Sequence, residues 1–163
     1  VEVNKKRIGY CRDMARKILR ESQSLRVPVP IDNIAKHYGF KVVPLDQPAE
    51  QFSGILHKGK RAIGINKSHH PVRQRFSLAH ELGHFFLDHP TVDEILPDDL
   101  EMIERKTYEA EADEFAGELL VPRELLKELL KQNQDIEFLR EQFNVSRHVI
   151  VIQLTKHGFL NKL

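Results

Sequence analysis

A single cysteine, Cys11, stands among the 163 residues, so no disulfide can form within the chain and a reducing compartment is the simpler setting. No uninterrupted apolar run reaches the length of a membrane span, and no charged-then-apolar leader with a small-residue cleavage site opens the sequence. The expectation is a cytoplasmic protein with no membrane contact. Net charge is scarce too: 25 Lys and Arg against 24 Asp and Glu leave +1, so no overall field selects a polyanion or a lipid surface. The charges that exist are unevenly placed. Lys5, Lys6, Arg7, Arg12, Arg16, Lys17, Arg20 and Arg26 crowd the start. Asp93, Glu94, Asp98, Asp99, Glu101, Glu104, Glu109, Glu111, Asp113, Glu114 and Glu118 crowd the middle, and both clusters read as solvated faces. With 40% hydrophobic and 30% charged residues, the length fits one domain over residues 1–163, of which 122–163 form a helical C-terminal part.

Ile8, Cys11, Met14, Ala15, Ile18 and Leu19 recur at three- and four-residue steps and predict a helix from about Lys5 to Ser24, with Cys11 as a small core residue. A short helix opened by Pro30 and Asp32 and closed by Gly39 follows. The period then changes to two. Phe40, Val42 and Val43 are extended, and Phe52–Leu56 and Ala62–Ile65, joined by His57–Arg61, form a hairpin candidate. Gly54 and Gly64 inside these strands mark a bulge or the close approach of another backbone. An extended peptide laid along an edge strand is one such backbone.

Helical periodicity resumes at about Arg73 and runs to Asp88, and inside it lies His80-Glu81-Leu82-Gly83-His84. Residues four apart share a helix face, so His80 and His84 can direct ring nitrogens at one Zn²⁺. Glu81, a third of a turn round from His80, can act as a general base without occupying the metal. Phe76, Ala79, Gly83, Phe86 and Leu87 make the helix largely apolar, which places such a site on a buried element. His89 is a rival third ligand. Leu87 and Pro90 stand where a metzincin has its glycine and third histidine, so His89 is read as a rim residue.

A further helix is predicted from about Thr107 to Leu120, stopped by Pro122. Ala112, Ala116, Leu119 and Leu120 fall on the same side as Glu109 and Asp113, so both acids are expected to point inward, with Glu111 solvated on the opposite flank. Two buried carboxylates need partners. Glu109 would complete a His80, His84, Glu109 ligand set, and Asp113, one turn on, would accept a ring N–H from a ligand histidine. Tyr108, His69, His70, His89 and Arg75 are candidates to stabilise an oxyanion.

These blocks resemble the ImmA/IrrE-type zinc peptidases. The resemblance lies in Val27-Pro28-Val29-Pro30-Ile31 leading into Ile34-Ala35, in Phe52-Ser53-Gly54-Ile55-Leu56, in Arg75 to His84, and in Glu109 to Ala116 followed by Leu119-Leu120-Val121-Pro122. The last two together are specific. The resemblance implies a small α+β, zincin-like domain in the cytoplasm, mostly helical, with a short antiparallel sheet before the His-Glu-x-x-His helix. It also implies site-specific proteolysis, or another inactivation, of a helix-turn-helix repressor that controls a mobile element or a stress response. By position, His80, His84 and an acid of the second block would bind zinc and Glu81 would be the base. The family pattern leaves Glu109, Glu111 and Asp113 open as the acid, and helix-face geometry selects Glu109.

After Pro122, Leu125, Leu126, Leu129 and Leu130 continue an amphipathic helix, and Ile136–Gly158 reads as a helix-turn-helix-like pair with a turn at Asn144 and a cap at Ser146. The second helix offers only Arg147, His148, Gln153 and Lys156 to a polyanion, while Val149–Ile152 are apolar, so direct DNA contact is disfavoured. The alternative to a peptidase is a non-cleaving, metal-stabilised regulator that binds a repressor or DNA through these C-terminal helices.

Overall fold

The structure, a computed structural model, describes residues 6–48, 50–91 and 102–162. Helix α1 (Ile8–Glu21) precedes the short α2 (Ile31–His37), whose end turns at Gly39, φ 80°, into strand β1 (Lys41–Leu45). Strands β2 (Gly54–His57) and β3 (Ala62–Asn66) form the expected hairpin. Then come α3 (Pro71–Phe86), α4 (Met102–Leu120), α5 (Arg123–Gln132), α6 (Ile136–Phe143) and α7 (Arg147–Lys156), an α+β arrangement dominated by helices. Helix α3 starts two residues before Arg73 because Pro71 suits a first helical turn and His70 Nδ1 accepts the Val72 N–H at 3.1 Å. Most of the acidic stretch between Pro90 and Pro97 lies outside the described residues.

The sheet order is β1-β3-β2, which makes it mixed rather than antiparallel throughout. The chain between β1 and β2 crosses to the far side of β3, so β1 pairs parallel with β3 (Lys41 opposite Ala62) while β2 pairs antiparallel (Gly54 opposite Ile65). This order leaves β2 as an edge strand beside α3. A Cβ on Gly54 would meet Glu81 Cγ at 3.2 Å, so glycine is what lets the strand lie against the metal-motif helix. Gly83 does the same between helices, since a Cβ there would stand 3.0 Å from Phe115 and 3.2 Å from the Ala112 carbonyl of α4.

One core joins α1, α2, the sheet and α3 to α7, with Ile18, Ile34, Ile63, Leu82, Phe115 and Phe143 among its fully buried members and Cys11 inside it. The C-terminal pair is built as its turn chemistry predicts. Asn144 takes φ 53°, Ser146 Oγ accepts the Val149 N–H at 3.2 Å, and Gly158 at φ 71° follows α7. Ile150 and Leu154 are buried, while Val149 and Ile152 line a hollow of about 480 Å³ with Phe76 and Val145. Within the apolar run of α7 only Ile150 is fully buried, and Val149, Val151 and Ile152 are half-buried. Among the described residues no helix is long and apolar enough to cross a membrane.

The two charge clusters are not both solvated faces. Glu111, Glu114 and Glu118 are 1–2% exposed and meet the basic start of the chain across the α1–α4 seam. Glu111 pairs with Arg7, Glu114 with Lys6, Arg12 and Lys156, and Glu118 with Arg16 and His157. Their spacing of three and four residues lines them along one face of α4. From Glu111 to Leu120 every residue of that helix except Asp113 is buried, so the flank opposite Glu109 and Asp113 faces α1 and α7 instead of solvent.

Candidate metal centre

Helices α3 and α4 pack closely through Gly83, and this contact sets four side chains of the two motifs against each other. His80 and His84, one turn apart, present their Nε2 atoms 3.0 Å from one another. Glu109 on α4 reaches both, Oε2 lying 2.9 Å from His80 Nε2 and Oε1 3.0 Å from His84 Nε2. All three donor atoms fall within 4.8 Å of each other, the spread of a shared metal ion. Asp113 Oδ1 lies 2.8 Å from His80 Nδ1. Both Nδ1 atoms are thus taken up by other groups while the Nε2 atoms and Glu109 converge, a nitrogen and oxygen donor set that fits zinc.

The surroundings favour positive charge at this point. Burial alone would lower the His80 pKa, but its bonds to Asp113 and Glu109 outweigh that and push it up to about 10. The bond from His80 holds the Glu109 carboxyl well below the usual range. Glu81 lines the adjoining cleft with His84 and Glu109, and burial raises its carboxyl, making it a stronger base. The cleft encloses about 360 Å³. It is lined also by the β2 residues Gly54, Ile55 and Leu56 and by Pro90, Thr91, Arg105 and Tyr108.

The expectation that Glu109 and Asp113 point into the core is corrected. They face α3, but their side chains are 62% and 58% exposed, at the lip of the cleft. Glu111, expected in solvent, is buried, and His89, expected at the rim, is 1% exposed behind His84. His89 Nδ1 lies 2.9 Å from His84 Nδ1 and its Nε2 lies 2.8 Å from Glu111 Oε1. Burial outweighs the Glu111 contact and lowers the His89 pKa to about 4. Against burial, which would raise it, the Arg7 side chain and backbone hold the Glu111 carboxyl down at about 2.

Of the oxyanion candidates, only Tyr108 lines the cleft. Arg75 is spent on the carbonyls of Asn144 and Val29, His70 caps α3, His69 is buried, and His89 stands behind the ligand position. Arg105 escaped the sequence reading, although it precedes Glu109 by one turn and so shares its face.

Comparison with solved structures gives the same fold in a Mycobacterium tuberculosis transcriptional regulator, with a TM-score of 0.64 and 19% identity over 90% of this chain and 46% of that one. The present chain thus spans about half the length of that regulator. No curated protein matches it significantly. Residues 35–155, which hold the hairpin, both metal-facing helices and nearly all of the C-terminal pair, match the Peptidase_M78 model, and the chain belongs to this family, the IrrE N-terminal-like domain.

Proposed function

We propose that the chain is a zinc-dependent endopeptidase acting in the cytoplasm on a helix-turn-helix transcriptional repressor, which it cuts at a defined site to relieve repression of a mobile element or a stress response. One observation carries the hydrolytic part: three ligand atoms within 4.8 Å, with Glu81 in the same cleft and an edge strand along its wall. His80, His84 and Glu109 would hold the metal, and Asp113 would fix the His80 ring. When bound, zinc supplies Lewis acidity, polarising the scissile carbonyl and acidifying the attacking water. Strand β2, along the cleft wall, aligns an extended substrate by main-chain hydrogen bonds. Glu81 takes a proton from the water as its oxygen bonds to the carbonyl carbon, then returns it to the departing amine as the C–N bond breaks. Tyr108 and Arg105 line the same cleft, where an O–H or guanidinium donor can meet the developing oxyanion.

The substrate class rests on the resemblance to ImmA/IrrE peptidases and on the similarity of the fold to part of a chain named as a transcriptional regulator. A second reading, binding of a repressor without cleavage, is favoured by the largely apolar hollow beside α7, which shares Asp113 with the metal centre. The decisive experiment incubates the zinc-loaded chain and its Glu81→Gln variant with helix-turn-helix repressors of its own organism and follows mass. Cleavage at one site by the wild type alone supports the peptidase; a stable uncut complex with both supports the second reading.

A further inference from the structure

Behind His84 runs a line of buried groups that the hydrolysis itself does not touch. His84 Nδ1 faces His89 Nδ1 at 2.9 Å, and His89 Nε2 faces Glu111 Oε1 at 2.8 Å. Glu111 is gripped from its far side by Arg7 at the start of α1, through the backbone N–H at 2.8 Å, Nε at 2.9 Å and Nη2 at 2.9 Å. His89 and Glu111 are each 1% exposed, so water cannot substitute for either.

We propose that Arg7, Glu111 and His89 form a positioning line that fixes the ring tautomer of His84 and turns its Nε2 lone pair toward the metal, which makes α1 a working part of the metal centre. The inference rests on the zinc reading of His80, His84 and Glu109.

The direction of each hydrogen bond follows from what each group can donate. An ionised carboxylate only accepts and a guanidinium only donates, so Glu111 accepts from Arg7 and from His89 Nε2–H. A ring with one proton then has Nδ1 as its acceptor. Two Nδ1 atoms at 2.9 Å need one proton between them, and it must come from His84. His84 Nε2 is left unprotonated, which is the form that ligates zinc. The reverse direction would place the proton on His84 Nε2 and close that atom to a metal.

His80 is oriented by a shorter route, its Nδ1 standing 2.8 Å from Asp113 at the lip of the cleft. The two histidines are therefore oriented by different means, one by a local, exposed acid and the other by a buried line that ends in another helix. The Tyr108 ring, 4.6 Å from that of His89 between centroids, limits the tilt of the intermediary. Arg7 lies outside the region 35–155 that matches the family model.

The test uses the full chain. Zinc affinity is measured by chelator competition, and the His84 tautomer by long-range ¹⁵N–¹H correlation in the metal-free protein, for wild type, His89→Leu, His89→Gln, Arg7→Ala and Glu114→Gln. His89→Leu should weaken zinc binding about 10–100-fold and leave His84 in mixed tautomers, with Arg7→Ala shifting both in the same direction. His89→Gln, whose amide can accept from His84 and donate to Glu111, should recover most of the affinity. Glu114→Gln breaks an ion pair on the same seam without a route to His84, so it should lower Tm and leave zinc affinity unchanged. Equal affinity and a single His84 tautomer in wild type, His89→Leu and Arg7→Ala overturn the proposal alone, as does an equal loss of zinc in Glu114→Gln. A wild-type chain that binds no zinc overturns the zinc reading and this inference together.

Discussion

At the scale of single residues, Glu81 separates holding a metal from using it. Its carboxyl stands in the cleft with His84 and Glu109, and burial raises its pKa. Glu81→Gln should keep about one zinc per chain and lose about 10²–10⁴-fold in turnover; an undiminished rate would remove it from the chemistry. Tyr108 is tested through a kinetic split. If its hydroxyl meets the oxyanion, Tyr108→Phe lowers kcat by about 10²-fold with KM little changed, whereas a rise in KM alone would make it a binding residue. Gly54 has a steric role. Because a Cβ would already stand 3.2 Å from Glu81 Cγ, Gly54→Val should displace Glu81 or the edge strand, cutting turnover while elemental analysis still finds zinc. His80 and His84 were legible because four-residue spacing fixes a shared helix face whatever surrounds it. His89 was not, since nothing local records that the chain after Leu87 folds back behind His84, where the His89 N–H bonds the His84 carbonyl at 2.9 Å.

At the scale of elements, α4 does two jobs with two acidic faces. Glu109 and Asp113 face α3, while Glu111, Glu114 and Glu118 face α1 and α7. The first pair could be read from spacing. The second could not, because the cations that make burial of three glutamates tolerable arrive from distant parts of the chain, Arg7 standing 104 positions from Glu111 and Lys156 standing 42 from Glu114. An apolar stripe marks the only buried side of a helix at a surface, but α4 is enclosed on nearly all of its circumference from Glu111 to Leu120. Local chemistry was more informative elsewhere: the β2–β3 hairpin, and the α6–α7 turn with Asn144, Ser146 and Gly158, form where their residues indicate. The parallel pairing of β1 was hidden, since strand order depends on where a connection crosses and not on strand composition. The close α3–α4 packing yields its own prediction. Gly83→Val should destabilise the fold by about 1–3 kcal/mol in chemical denaturation, because both Phe115 and the Ala112 backbone must give way.

At the scale of the whole molecule, the α1–α4–α7 charge network ties the chain's beginning and end to its centre, and its pH dependence has a definite sign. Burial would raise the carboxyls of Glu114 and Glu118, but Lys156 and Lys6 on the first and His157 and the Arg123 N–H on the second hold both below their ordinary value near 4.5. A carboxyl lowered in the folded state adds stability that is present above its unfolded pKa and is lost as pH falls through the folded one. Tm should therefore start to fall below about pH 4.5. Glu114→Gln should lower Tm at pH 7 by the equivalent of about 1–3 kcal/mol, with the gap to wild type closing at acid pH; a constant gap would mean that its charge is not what matters. The proposed use of this scaffold is a metal centre, and the most direct measurement is elemental analysis of the purified chain alongside His84→Ala, Glu109→Gln and Glu81→Gln. The account predicts about one zinc per chain in the wild type and in Glu81→Gln, and its loss or marked weakening in the other two. Zinc retained undiminished in all four, or absent from the wild type, would contradict it.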